Sequence, residues 1–325
     1  MCYSAMENSE LRWLSRHGDS EEVRLAAFNE LLRRQSFPND TKITLRFSKA
    51  LESFFLRSTD PVYAETAGLV ERRREMRRSE LESGLFRQRT RLVKAERSLK
   101  SKPTAKALEE QRIASDKVEW HRLQLENLER QEVRDADRRI YPMWYTMVLA
   151  NVDRKRVLMP MRYHCRQGGK SASIDKQFGG LYNARRDSLN GYWRRIWRSQ
   201  HAIMPAQAFY ENVALEVFER RELQPGEKSR NVVLEFKPDS REPMLFACLW
   251  DKWEKAGEPD LYSFAVITDD PPAEVAATGH DRCPILLKPQ NVAAWLSPEG
   301  RDEAELQALL DDRPRPYFNH LRLAA

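Results

Sequence analysis

Residues 64–138 contain one proline and two glycines, and the rest is dense in Glu, Arg, Lys, Leu and Ala. So long a stretch with so few breakers fits helix and little else. Leu81, Leu85, Leu92, Ala95 and Leu99 recur at helical spacing. After Ser101-Lys102-Pro103-Thr104 a second stripe runs through Leu108, Ala114, Val118, Leu125 and Leu128. Proline cannot continue a helix but suits a first turn, so Pro103 predicts the end of one helix and the start of another near its N1 position. The expectation is an antiparallel hairpin, roughly 64–100 and 104–138. Both stripes are narrow, as in helices that bury their seams on each other. A single-domain helical bundle is the alternative.

From Tyr141 the pattern changes to short apolar runs: Trp144–Ala150, Arg156–Met159, Ile203–Phe209, Val232–Phe236, Leu245–Trp250, Tyr262–Thr268 and Ile285–Leu287. Turn residues separate them, such as Gly168-Gly169, Gly179-Gly180 and Pro271-Pro272. Many short strands without long helices between them predict an antiparallel sheet or barrel. Late helices are expected over Asn291–Leu296 and Asp302–Leu310. Before the hairpin, Leu11, Trp13 and Leu14, then Val23 to Leu32, have helix-like spacing, with a break at Pro38-Asn39-Asp40. The fold class is therefore α+β: a strand-rich, barrel-like core from 1–63 and 139–325, with 64–138 inserted as a helical hairpin.

Composition narrows the function classes. With 41% apolar residues and 8 Trp in 325, the chain can bury a core. Mean hydropathy is −0.71, and no apolar run approaches the roughly 18 residues of a membrane span. The start shows no basic segment followed by an apolar one, so no signal peptide is expected. A cytoplasmic protein is, nucleoid-associated when bound to DNA. Net charge is +6, but residues 71–139 alone carry 20 basic and 14 acidic side chains. Residues 153–198 carry 12 basic and 3 acidic, interleaved with Tyr163, Phe178, Tyr182, Tyr192, Trp193 and Trp197. Cations among aromatics are the composition of a single-strand nucleic-acid groove. Core packing is the alternative for the aromatics, with at least Trp193 or Trp197 expected inside.

Four cysteines, at 2, 165, 248 and 283, have no CxxC spacing and read as reduced thiols. Cys248 lies in an apolar run and is expected in the core, as is Cys283 on the strand after its motif. His164 and Cys165 are adjacent, so in a strand they face opposite ways and make a poor dyad. Cys2 differs, because removal of Met1 would leave an N-terminal Cys. Its α-amine would have a reference pKa of about 7.7–8.0, so part of it is neutral near pH 7. Amine and thiol on adjacent carbons can close a thiazolidine on an aldehyde, which no internal cysteine can do.

Three further segments each carry one group of catalytic type: Tyr182-Asn183-Ala184-Arg185, Ala208-Phe209-Tyr210-Glu211-Asn212, and Gly279-His280-Asp281-Arg282-Cys283-Pro284. With Met1-Cys2, in this order and at this spacing, they resemble the SOS-response-associated peptidase (SRAP) family, the abasic-site-processing proteins. The resemblance covers the first few residues and about 141–300, and leaves out 64–138. It implies that Cys2 crosslinks to the aldehyde of an abasic site in single-stranded DNA, with lyase activity and self-processing as further outcomes. It also implies that His280 and Glu211 move protons, that Asn183 orients the amine or the sugar, and that Arg185 and Arg282 contact phosphates. No cofactor or metal is expected, and no membrane. Two departures stand out. Family members often begin Cys-Gly-Arg, where this chain has Cys2-Tyr3-Ser4, and their aromatic-Glu segment usually ends in Trp, where this chain has Asn212. The hairpin's cations would suit DNA, and its narrow stripe would suit a protein partner. Two other functions compete: a cysteine-dependent peptidase acting on proteins, and a non-catalytic nucleic-acid-binding protein.

Overall fold

The computed structural model describes residues 4–7, 22–35, 45–240 and 242–323. The expectations for Cys2, for Leu11 to Leu14 and for the break at Pro38 lie outside those residues. The chain divides into two compact units: Met1–Leu31, Thr44–Phe54 and Arg134–Ala325 form one, Leu32–Ile43 and Phe55–Val133 the other.

The first unit is built on one connected sheet with thirteen strands among the described residues. They are β1 (Ser4–Glu7), β2 (Glu22–Val23), β3 (Arg46–Phe47), β4 (Arg139–Ile140), β5 (Trp144–Val152), β6 (Lys155–Tyr163), β7 (Asn183–Arg185), β8 (His201–Ala214), β9 (Asn231–Pro238), β10 (Met244–Trp253), β11 (Leu261–Asp269), β12 (Cys283–Pro284) and β13 (Phe318–Arg322). β8, β10, β11, β6 and β5 pair in that order, and β5 pairs back onto β8 through Leu149–Ile203 and Ala150–Ala202. The ring therefore closes into a barrel, which removes the exposed edges an open sheet would carry. Every pairing in the ring is antiparallel except β6–β11, which is parallel.

Period-2 alternation decides what fills the barrel. Val148 and Ala150, then Val157, Met159, Met161 and Tyr163, then Met204, Phe246, Cys248, Phe264 and Val266 all belong to one buried cluster. The intervening residues Leu149, Leu158, Ile203, Leu249 and Ile267 are buried as well. These strands are thus apolar on both faces and read as unbroken runs in the sequence. β5 and β6 join through Asp153-Arg154, both at positive φ (54° and 64°), with Val152 opposite Lys155. Two such residues give the primed turn that matches strand twist.

Six of the seven strand runs found in the sequence are present, mostly longer at both ends. The seventh, Ile285–Leu287, is not a strand: the short β12 precedes it at Cys283–Pro284, and the run itself makes a single bridge from Leu286 to Phe246. Val23 belongs to β2, and the helix expected from there begins at Ala26 (α1, Ala26–Gln35). A second helix, α2, spans Lys49–Arg57. Near the C-terminus Asp302 caps a helix over Glu303–Asp311, with Asp302 and Glu305 forming a reciprocal capping box.

The second unit contains the long pair α3 (Ala64–Ser101) and α4 (Ala105–Glu129). α4 starts from Thr104, whose Oγ1 accepts from the Ala107 amide at 3.2 Å, so Pro103 precedes the cap and does not occupy N1. It ends at Glu129, short of 138, because no stripe residue follows Leu128; a 3₁₀ turn over Asp135–Arg138 comes after. Leu81, Ala95 and Ala114 are buried in the seam, whereas Leu108 is 56% exposed and Ala107 takes the inward place. Ala107 is one heptad before Ala114, so it keeps the phase that Leu108 breaks.

Candidate functional site

Each motif residue is placed by a strand or by the loop beside one. β1 pairs antiparallel with β8 so that Ser4 faces Tyr210. The N-terminal strand therefore runs beside Glu211, the next residue of β8. Glu211 is completely buried, and from the loop before β12 His280 places its Nε2 2.9 Å from Glu211 Oε2. The His280 ring is 7% exposed, and its Nδ1 lies 3.0 Å from the carbonyl oxygen of Arg282. A carbonyl only accepts, which assigns a hydrogen to Nδ1. Nε2 is thus the ring nitrogen that faces the carboxyl group, within reach of proton transfer between them. Gly279, at φ 90°, makes the preceding bend; a Cβ there would lie 2.3 Å from Val217 Cγ1.

β11 carries the other half of the site. β7 pairs with it so that Asn183 lies opposite Val266 and Arg185 opposite Thr268, and β12 pairs on its other side with Pro284 opposite the same Thr268. Arg185 and Arg282 are thereby brought to one pocket of about 160 Å³, which Arg186, Thr268 and Asp269 also line. Asn183 is 7% exposed and, two residues from Arg185, shares its face of β7. Arg185 Nε donates to Asp187 Oδ2 at 2.9 Å, and Arg282 Nη2 to Asp281 Oδ2 at 3.1 Å. The Arg185 hydrogen bond holds Asp187 below the usual carboxylate range. Burial works against Asp281, but the Arg282 contact outweighs it and lowers that carboxyl too. An incoming phosphate must displace Asp187 to take both nitrogens of the Arg185 fork. Behind them Arg186 and Arg313 clamp Asp269 at 3.2 and 2.8 Å.

Cys2 lies outside the described residues. The other three cysteines are free and buried. Burial pushes Cys165 up to about 12 and raises Cys248 and Cys283 as well, so none is a ready thiolate. Among the described residues no group of His, Cys, Asp and Glu is arranged to hold a metal ion, and no helix is long and apolar enough to cross a membrane.

The basic, aromatic stretch 153–198 is not one groove. Tyr163, Tyr182, Trp193 and Trp197 are buried, and only Phe178 (56%) and Tyr192 (40%) are exposed. Arg162 and Arg166 converge on Asp175. The aromatics sit on strands and turns whose inward faces fill the core, and part of the charge is internal.

Two residues that motif reasoning missed steady the N-terminal strand. Arg139 donates from Nε to Ser4 Oγ at 2.8 Å, and its guanidinium lies 4.0 Å over the Tyr210 ring. Glu7 is buried at the other end of β1 and accepts from Ser48 Oγ and Thr146 Oγ1. Burial pushes its carboxyl up to about 8. Neither residue belongs to a motif, and both partnerships span long sequence separations, so only the folded chain reveals them.

Residues 100–323 match the sequence model of the SOS response associated peptidase (SRAP) family. Among curated proteins the chain is similar to the abasic site processing protein YoqW of Bacillus subtilis, 32% identical over 139 residues, which is 42% of this chain and 55% of that protein. It is also similar to YobE of the same organism, again named an abasic site processing protein, 32% identical over 132 residues, 40% of this chain and 55% of that protein. The matched part thus spans about half the length of these relatives. Among solved structures, a protein from Bacteroides thetaiotaomicron aligns with a TM-score of 0.45 at 14% identity, over 57% of this chain and 77% of that one. The family match extends over more than half of the sequence, from the hairpin to the end of the barrel, and the chain belongs to the SOS response associated peptidase family.

Proposed function

We propose that this protein captures abasic sites in single-stranded DNA through a thiazolidine on Cys2, formed after Met1 is removed. The observation that carries this reading is the contact of Glu211 with His280, buried beside the strand that leads to the N-terminus. Chain connectivity keeps Cys2 within about 7 Å of Ser4, two peptide units away, and Ser4 is paired to the neighbour of Glu211. The three other cysteines are buried with raised thiol pKa, which leaves Cys2 as the nucleophile.

The chemistry balances with these groups. The neutral amine of Cys2 adds to the aldehyde carbon of the ring-opened sugar, and the carbinolamine loses its oxygen as water to give an imine. The thiol sulfur then adds to the same carbon, its proton passing to the imine nitrogen, and a five-membered ring closes. Ring opening, water loss and sulfur addition each need a proton delivered or removed, which the Glu211–His280 couple can supply. Removing a proton from the sugar carbon next to the imine would instead expel the 3′ phosphate, a lyase outcome from the same intermediate. Asn183 would hold the amine or the sugar by hydrogen bonds, and Arg185 and Arg282 would receive phosphates. The peptidase activity in the family's name corresponds here to exposure of the Cys2 amine by loss of Met1.

The test is a denaturing gel after incubation with a single-stranded oligonucleotide bearing one abasic site. Wild-type protein should give a heat-stable adduct, Cys2→Ala none, and Cys2→Ser at most a weak or reversible one. A heat-stable adduct of Cys2→Ala would overturn the assignment.

A further inference from the structure

The positive charge of this chain is concentrated in a place the capture chemistry does not use. From Arg87 to Lys106 there are eight basic residues and one acidic residue, Glu96. That net +7 exceeds the +6 of the whole protein. The segment is the end of the hairpin: the last four turns of α3, the Lys102–Thr104 bend and the start of α4.

Ion pairing differs sharply between this end and the rest of the two helices. Towards the other end Arg74, Arg77, Arg78, Arg112 and Arg122 each face a carboxylate. At the tip only Arg91 does, through Glu110. The other seven cations make no ion pair among the described residues. Like charges this close repel, and seven cations without an ion pair inside twenty residues set up a positive field open to an anion from outside the chain.

The tip also has a shape. A groove of about 470 Å³ runs between the helices, lined by Arg87, Arg91 and Lys94 of α3 and Lys106 of α4, with the hydroxyls of Thr90 and Ser98 and one carboxylate, Glu110, which is paired to Arg91. Positions 87, 91 and 94 share one face and rise about one helical turn, 5.4 Å, from one to the next. No aromatic residue lines the groove. A row of cations and hydroxyl donors without a stacking surface suits a repeating phosphate backbone and reads no bases. The exposed apolar residues of this end, Phe86, Val93 and Leu108, lie outside the groove lining, and a membrane surface is an outcome the vesicle measurement below separates.

We propose that the hairpin tip is a second DNA-binding surface, which holds the sugar–phosphate backbone irrespective of sequence or damage. That the polyanion is DNA rests on the abasic-site reading above; the site itself is independent of Cys2.

The experiment uses the full-length protein and a single-stranded oligonucleotide with no abasic site, so covalent capture cannot contribute. Binding is followed by fluorescence anisotropy across a salt series for wild type, for Arg87→Glu/Lys94→Glu/Lys106→Glu, and for the neutral Arg87→Gln/Lys94→Gln/Lys106→Gln. All three side chains are exposed, and circular dichroism checks that helicity is kept. Each phosphate contact on a single strand contributes about 0.7 to the slope of log affinity against log salt. The Gln variant should lose about 2 from that slope. The Glu variant should lose at least as much, with at least tenfold weaker binding at low salt. Both should crosslink at the wild-type rate when a short abasic oligonucleotide is saturating. Unchanged affinity and slope in both variants would overturn the proposal. So would wild-type binding of poly-glutamate or phosphatidylserine vesicles as tight as that of DNA, which would assign the tip to an acidic protein or to a membrane. Failure of capture itself, with the slope change intact, would count against the Cys2 reading alone.

Discussion

His280 Nε2 stands 2.9 Å from Glu211 Oε2, and the other ring nitrogen is held by the carbonyl of Arg282. The backbone of the same loop thus fixes the tautomer of the histidine and sends Arg282 to the pocket it shares with Arg185. Loss of either member of the couple should slow bond formation even when DNA is saturating. For Glu211→Gln and His280→Ala the expected fall in crosslinking rate is about 10²–10⁴-fold each, the usual worth of a positioned proton-transfer group. The double variant should lose little more than either single one, because the two act as a unit. Time courses at several DNA concentrations decide it. Recovery of the wild-type rate at high DNA would leave both residues with binding roles only.

Arg185→Ala and Arg282→Ala should behave in the opposite way. Phosphate contacts position the strand without entering the bond-making step, so more DNA should restore much of the rate. Asp187 occupies the Arg185 fork that the proposed phosphate contact needs. Asp187→Asn should therefore tighten binding at low salt and leave the saturated rate alone, as a titration on the same oligonucleotide would measure.

Two buried carboxyl groups give stability opposite pH dependences. Glu7 has its pKa raised by burial to about 8, above its unfolded value. Its contribution is fully present below the unfolded pKa and is lost as pH rises towards 8. Glu7→Gln should flatten the decline in thermal stability across that window.

Asp175 is the reverse. Burial alone would raise it, but Arg166 and Arg162 outweigh burial and hold its carboxyl low. Its contribution is present above the unfolded pKa and is lost as pH falls through the lower folded one. Its side chain is 7% exposed, and those of Arg162 and Arg166 are 10% and 12%. Asp175→Ala leaves two buried guanidinium groups facing each other and should cost about 3–5 kcal/mol by denaturant unfolding near pH 7.

How much of this was legible in the sequence depends on the kind of signal. The strands of the barrel were legible as apolar runs, because β-branched and aromatic residues crowd both of their faces. The hairpin was legible from the scarcity of glycine and proline. The end of α4 was not, since nothing but the absence of a stripe residue after Leu128 marks it. β7 was invisible: Asn183-Ala184-Arg185 has no strand composition, and it pairs only because β11 offers an edge. The motif residues Asn183, Glu211 and His280 were visible as motifs. The contact between Glu211 and His280 was not, because 69 residues separate them and only the closed barrel brings them together. The aromatics of 153–198 were legible in part: a split was expected with Trp193 or Trp197 inside, and both are buried, while Phe178 and Tyr192 are exposed. Composition places Tyr163 and Tyr182 among cations, and does not say that their side chains point inward.

The central claim is that the N-terminal amine and thiol of Cys2 together close on an abasic aldehyde. Intact-mass spectrometry tests it most directly, on protein incubated with an abasic single-stranded oligonucleotide and then digested to locate the bond. The account predicts protein lacking Met1, heavier by the oligonucleotide less one water, with the added mass on the peptide that begins at Cys2. An adducted protein that retains Met1, or an adduct on any other peptide, would contradict it.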